Sequence, residues 1–215
     1  SGVGVGGFCH HGHGCGWVFR LSGSGCMGAS MSDLEVEKAS ARKAGFARRK
    51  AAHADAPLSA CGYLSAVLAG HRGVALAGYM PIRTEIDPLP AMAEAAAHGP
   101  IGVPVIQKTG LGLLFSQWTP DCVLKNGPFG AQVPEHDQFF EPEILIVPLV
   151  AFDLCGGRLG YGGGFYDRTL QALRARRATL AIGFAYAAQQ TEHLPLEATD
   201  QPLNFIVTER GVIEI

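Results

Sequence analysis

Nowhere in these 215 residues does an apolar run reach the roughly 18 residues a membrane-spanning helix needs, so a soluble protein is expected. Charge of one sign is also lacking. Seventeen lysines and arginines stand against 19 acidic residues, for a net charge of −2, which argues against a protein that coats nucleic acid. Neither nucleic acid nor membrane is expected as a partner. C-x-x-C spacing is absent too. The six cysteines, Cys9, Cys15, Cys26, Cys61, Cys122 and Cys155, form no disulfide framework, and a reducing cytoplasm is the default location. Cys155 reads as a small buried filler, because no motif partners it with a base.

Residues 1 to 30 lack hydrophobic periodicity and are rich in glycine, too poor in apolar surface to offset the entropy of ordering. A disordered leader is expected there. Cys9, His10, His11, His13 and Cys15 have metal-ligand chemistry, but their spacing matches no structural zinc motif. No positive segment precedes an apolar one, so a secretory signal fits poorly, and Met31 reads as a natural start. The length suits one α/β domain with a sizeable core, expected over residues 31 to 215.

What is present is concentrated between Ile144 and Leu170. The apolar run Ile144 to Val150 predicts a buried parallel strand. A loop with Gly156, Gly157, Gly160, Gly162, Gly163 and Gly164 follows, with Arg158 inside it. Phe165-Tyr166-Asp167-Arg168 then starts a helix. Strand, glycine-rich turn and helix make an anion site, because backbone N–H groups and the helix dipole both favour negative charge. No Lys-Ser/Thr follows the glycines, so this is not a Walker A loop, and Phe165 stands where a dinucleotide fingerprint would end on glycine.

The string PLVAFDLCGGRLGYGGGFYDR resembles the signature of the 5-formyltetrahydrofolate cyclo-ligases, the 5,10-methenyltetrahydrofolate synthetases, and segments from about Leu34 to Ile215 fall in that family's order. The resemblance implies a three-layer α/β/α sandwich with a mostly parallel central sheet. It implies ATP-dependent cyclisation of 5-formyltetrahydrofolate to 5,10-methenyltetrahydrofolate with release of ADP and phosphate. The substrates would be the folate, polyglutamylated or not, and ATP carried with Mg²⁺, and a monomer is expected.

The other segments carry the rest of that reading. SDLEVEKASARKAGFARRKAAHA predicts a helix on which Lys38, Arg42 and Arg49 share one face. From the residues alone that face is solvated; the resemblance makes Lys38-x-x-x-Arg42 an ATP contact, with Ala41 in place of the usual leucine. VALAGY predicts a strand, and the resemblance places Met80 and Glu85 after it as folate contacts. A carboxylate suits a pterin, whose amidine-like N–H groups donate in pairs. Residues 58–70 and Pro88 to His98 predict helices, IGVPVI and LGLLFSQW strands, and the order β-α-β-β an α/β layered sheet.

Trp118 takes the place of an aromatic near the folate, a core tryptophan being the alternative. Residues 125–142 resemble a loop of the family in degraded form, and Lys125 is an exposed lysine or a phosphate contact. By the resemblance ATP meets Lys38, Arg42, Arg158, Gly160, Gly162, Gly163, Gly164 and Tyr166, and the folate meets Met80, Glu85, Trp118, Tyr161 and Phe165. Arg158 and Tyr166 are the catalytic candidates, and Asp167 and Asp200 the Mg²⁺ ligands. Arg174, Arg176 and Arg177 read as a solvated or dipole-facing cluster.

One departure stands out. Many members have G-R-G-K-G where this chain has Gly160-Tyr161-Gly162-Gly163-Gly164, so two positive charges are missing. Two other readings stay open: a non-catalytic folate or nucleotide-binding module on the same fold, and a sugar-phosphate isomerase-like enzyme.

Overall fold

The structure, a computed structural model, describes residues 31–57 and 59–215; the leader and its His/Cys cluster lie outside the described residues. Alternation along one strand explains the layering. In β7 (Ile144–Pro148), Ile144 and Ile146 point into one apolar cluster and Leu145 and Val147 into another, so the strand is buried on both faces. Helices α2 (Gly62–Ala69) and α3 (Leu89–Ala96) cover the first face with Leu64, Leu68, Ala91 and Met92. Helix α4 (Phe165–Arg174) covers the second with Leu170 and Leu173. This is the expected α/β/α sandwich.

Around β7 the sheet also contains β1 (Leu76–Ala77), β2 (Ile101–Val105), β3 (Leu114–Gln117), β6 (Phe139–Phe140), β10 (Leu180–Phe184), β11 (Phe205–Thr208) and β12 (Gly211–Glu214), in the order β12-β11-β10-β7-β1-β2-β3-β6. The five central strands, β11 to β2, are parallel to one another, and β12, β3 and β6 are antiparallel additions at the edges. From β1 the chain winds outward to β2, and from β7 outward to β10 and β11. The direction reverses between β1 and β7. A crevice at the carboxyl ends of those two strands is where such a sheet accepts ligands.

The expected strand over residues 144–150 stops at Pro148 because the next two carbonyls, of Leu149 and Val150, accept from the buried side-chain amide of Gln189 at 2.7 and 3.1 Å. That clamp fixes the exit of β7 toward a small hairpin, β8 (Ala151–Phe152) and β9 (Arg158–Leu159), which delivers the glycine loop. Asp153 shapes the hairpin turn by accepting from the N–H groups of Cys155 and Gly157 at 2.9 and 2.8 Å. Cys155 itself is exposed, not the buried filler expected, because the turn carries it to the surface.

Residues 125–142 are more ordered than their composition indicated. β4 (Leu124–Asn126) and β5 (Gln132–Pro134) pair as a separate hairpin around a 3₁₀ turn, and β6 joins the main sheet. Lys125 is tied to the Glu135 carbonyl within that hairpin. The arginine cluster is partly as expected: Arg176, exposed, and Arg177, partly exposed, pair with Glu141, and Arg176 also donates to the Ala172 carbonyl in the last turn of α4, while Arg174 donates to the Gln201 side chain and the Pro202 carbonyl.

Helix α1 (Met31–Ala54) is mostly polar and lies against β8 and the turn Ala187–Gln189. Gly45 permits this approach, since a Cβ there would sit 2.8 Å from the Val150 carbonyl oxygen. The helix is thereby brought beside the crevice. No described helix is long and apolar enough to cross a membrane.

Candidate active site at the strand switch point

The crevice is a cavity of about 800 Å³, within the range of ligand pockets. Lys38, Arg42, Met80, Glu85, Arg158, Gly160 to Gly164, Phe165, Tyr166, Asp167 and Asp200 all line it, so four separated stretches of sequence meet there. Trp118 does not. It is buried among the core residues of the α2–α3 face, because its N–H pairs with Ile101 and its ring points across the sheet from Phe115. The core alternative for Trp118 is the one realised.

One end of the cavity holds the glycine loop among charged residues of both signs. Arg42 donates from Nε to the Gly160 carbonyl at 3.0 Å, and Arg168 from Nη2 to the Gly163 carbonyl at 2.6 Å. The two guanidinium groups therefore occupy carbonyls of the glycine loop. Among the described residues the loop's N–H groups, from Tyr161 to Gly164, have no protein acceptor. Gly164 caps α4 at φ 63, a left-handed conformation that glycine adopts without steric cost. A Cβ there would meet Arg168 Nη1 at 2.6 Å. Donors left open at a helix N-terminus make an anion site.

Two ion-pair networks close this end. Lys38, buried, donates to Glu197 at 2.5 Å and to Asp200 at 3.1 Å. Burial alone would lower its ammonium, but these two acceptors outweigh burial and the net shift is upward. Arg158, also buried, donates to Asp167 at 2.6 Å and to the Gln201 carbonyl, and the Gln201 N–H returns to Asp167 at 2.9 Å. Asp167 is thus held against the residue next to Asp200. Among the described residues no three His, Cys, Asp or Glu side chains form a metal-binding group. Mg²⁺ needs no such cage: one or two carboxylates with phosphate oxygens and waters hold it, and Asp167 and Asp200 are carboxylates that line this cavity.

The other end surrounds one acid with Tyr79, Met80, Ile82 and Arg83. Glu85 is buried, accepts from the Ile82 N–H at 2.8 Å, and has Arg49 Nη1 at 3.8 Å from Oε1. Burial pushes its carboxyl above the usual range, with the Ile82 amide and Arg49 opposing. Tyr161 reaches this end from the glycine loop. Burial and the Glu85 charge push its phenol up to about 12. Tyr166 stands between the two ends. Its hydroxyl is buried with no partner among the described residues, and burial holds it strongly protonated, with Glu85 adding and Arg158 opposing.

Four contributors were missed in the sequence; Arg168, read only as part of a helix start, donates to the Gly163 carbonyl and lines the cavity. Arg49 lies on the same helical face as Lys38 and Arg42, a signal that was visible, but nothing in α1 shows what packs opposite. Glu197 has no motif of its own. Phe129 is 71% exposed, sits at φ 59, lines the cavity and meets the Phe165 ring edge-on.

A doubly wound α/β protein with a glycine loop of open N–H donors at the switch point of its sheet is what the fold and this site define. Comparison with known proteins narrows the class. Residues 35–209 match the model of the 5-formyltetrahydrofolate cyclo-ligase family, and the chain belongs to that family. It is 36% identical over 146 residues to the 5-formyltetrahydrofolate cyclo-ligase of Escherichia coli, a match covering 65% of this chain and 80% of that protein. It is 46% identical over 96 residues to the Haemophilus influenzae enzyme of the same name, covering 42% of this chain and 51% of the relative. The chain thus aligns with about half the length of that relative. Among solved structures, Aquifex aeolicus 5,10-methenyltetrahydrofolate synthetase superposes with a TM-score of 0.63 at 29% identity, covering 82% of this chain and 92% of that one.

Proposed function

We propose that the protein is an ATP-dependent 5-formyltetrahydrofolate cyclo-ligase and that both substrates meet in this cavity. The observation that carries the reading is the pairing, within one cavity, of a glycine loop whose N–H groups have no acceptor among the described residues, beside Lys38 and Arg42, with a buried carboxylate, Glu85. The first suits a polyphosphate and the second a pterin edge.

The reaction needs positioning and charge stabilisation more than a protein nucleophile. The formyl oxygen of the folate attacks the γ-phosphorus of ATP, and the bond to the bridging oxygen breaks to release ADP. N10 then adds to the activated formyl carbon. The carbon–oxygen bond breaks as phosphate leaves, the N10 proton is lost, and the 5,10-methenyl bridge remains. In this chain the loop amides, Lys38 and Arg42 hold the phosphates, Glu85 orients the pterin, and Met80 and Phe165 cover its apolar faces. Arg158 positions Asp167 at the loop. The Tyr166 hydroxyl, protonated and without a partner among the described residues, would donate to a phosphoryl oxygen as charge moves onto it. Asp167 and Asp200 would hold Mg²⁺, which neutralises phosphate charge when bound. Asp167 pairs with Arg158 and Asp200 with Lys38. The loop amides and Arg42 supply part of the stabilisation that the basic residues missing at Tyr161 and Gly163 would give.

The route is tested by labelling the formyl oxygen with ¹⁸O. The expected result is one labelled oxygen in the released phosphate. Label appearing in water with unlabelled phosphate would rule out attack by the formyl oxygen.

A further inference from the structure

Arg49 belongs to neither phosphate nor pterin chemistry in the reading above, yet it is 1% exposed and touches residues from both ends of the cavity. Its Nη2 donates to the Tyr161 hydroxyl, in the glycine loop, at 2.8 Å. Its Nε donates to Thr84 Oγ1 at 3.2 Å, next to Glu85. Nη1 lies 3.8 Å from Glu85 Oε1, too far for a hydrogen bond, and has no partner among the described residues. The guanidinium also lies against two rings, with the centroids of Phe46 and Tyr161 at 5.2 and 5.4 Å.

A buried guanidinium with an unused donor aimed at a carboxylate is an incomplete ion pair, and leaving such a donor unsatisfied is costly. The pair completes if Glu85 moves toward Arg49 by less than an ångström or so, the difference between 3.8 Å and hydrogen-bonding range. The same guanidinium holds Tyr161. Ordering the glycine loop on a polyphosphate would order Tyr161, which bears on Glu85 both directly and through Arg49. Ordering Glu85 on a pterin acts in the reverse direction.

We propose that Arg49 is a positioning residue that couples the two substrates, so that nucleotide bound at the glycine loop tightens the folate site through Tyr161, Arg49 and Glu85. This rests on the reading of the cavity as the joint site of 5-formyltetrahydrofolate and ATP. It also gives Tyr161 a task that follows from its own chemistry, since a phenolic oxygen accepts from Arg49 where a basic side chain would repel it.

Coupling between sites is a ratio of affinities and must be reciprocal. The experiment measures the dissociation constant of 5-formyltetrahydrofolate by calorimetry, with and without β,γ-methylene ATP and Mg²⁺, on the whole protein and on Tyr161→Phe and Arg49→Lys. For the unaltered protein the nucleotide should tighten folate binding by about 5-fold or more, the lower end of typical couplings, and folate should tighten nucleotide binding by the same factor. In both variants that ratio should fall close to one, whatever happens to the separate affinities. Loss of packing alone would weaken both states of the protein equally and leave the ratio intact. Tyr161→Phe removes one oxygen at the edge of the cavity and keeps the test valid if Arg49→Lys does not fold. Tight binding of both ligands without coupling, or full coupling in Tyr161→Phe, would overturn the proposal and leave the joint site standing. Failure of the unaltered protein to bind either ligand would overturn the joint site and the coupling with it.

Discussion

Glu85→Gln is expected to weaken 5-formyltetrahydrofolate binding by about 10- to 100-fold, the worth of hydrogen bonds to a charged acceptor, while ATP affinity measured alone stays near that of the unaltered protein. Glutamine keeps the shape and can still accept from the Ile82 N–H, but its amide presents a donor where the pterin's paired N–H groups need acceptors. The same residue sets a pH dependence. Burial holds the Glu85 carboxyl above the ordinary carboxylate range. A carboxyl raised on folding leaves stability unaffected below its unfolded value and lowers it as pH climbs through the raised one. Folate binding runs the other way, because it needs the ionised form. Affinity should therefore fall on acidification at a higher pH than an ordinary carboxylate would give, and Glu85→Gln should lose that limb. Calorimetric titration across the acid range checks both. Equal losses of folate and ATP affinity would mean that the pterin lies elsewhere.

Arg158→Met should act on turnover and on stability together. Arg158 is the buried partner of Asp167 and a donor to the Gln201 carbonyl, so it ties the helix carrying one proposed metal ligand to the segment carrying the other. Removing one member of a buried pair costs about 3 to 5 kcal/mol; with the Asp167 side chain 26% exposed, the lower end, about 3 kcal/mol, is expected. The rate should drop by about 10²- to 10³-fold, as for loss of one preorganised donor at a developing charge. Arg158→Lys should rescue little, because an ammonium cannot serve Asp167 and the Gln201 carbonyl in the fixed fork of a guanidinium. Urea unfolding and steady-state rates on both variants check this. Rescue by lysine would reduce Arg158 to a simple positive charge.

The strand at Ile144 and the loop after it were legible because their signals are local: an apolar β-branched run, glycines at a turn, a helix start. The basic face of α1 was legible as a face but not as a wall of the cavity that Lys38 and Arg42 line, nor as a buried contact behind it at Arg49, since the helix packs this closely only where Gly45 permits it. Trp118 shows the limit most clearly. Its identity suits a ligand pocket and a core equally well, and only the pleat of β3, which puts it on the face opposite Phe115, places it in the core. Residues 125–142 hid a hairpin because prolines and polar residues mask alternation, and Phe129 at its turn carries no signature of the cavity it lines. Glu197 was invisible for the same reason: its contact with Lys38 spans the chain almost from end to end.

The most direct test of the central claim is the near-ultraviolet absorbance of methenyltetrahydrofolate when the protein meets 5-formyltetrahydrofolate, Mg²⁺ and ATP. Product that forms only when ATP is present is the predicted result. Folate and ATP bound without product would contradict it and leave a binding module on the cyclo-ligase fold.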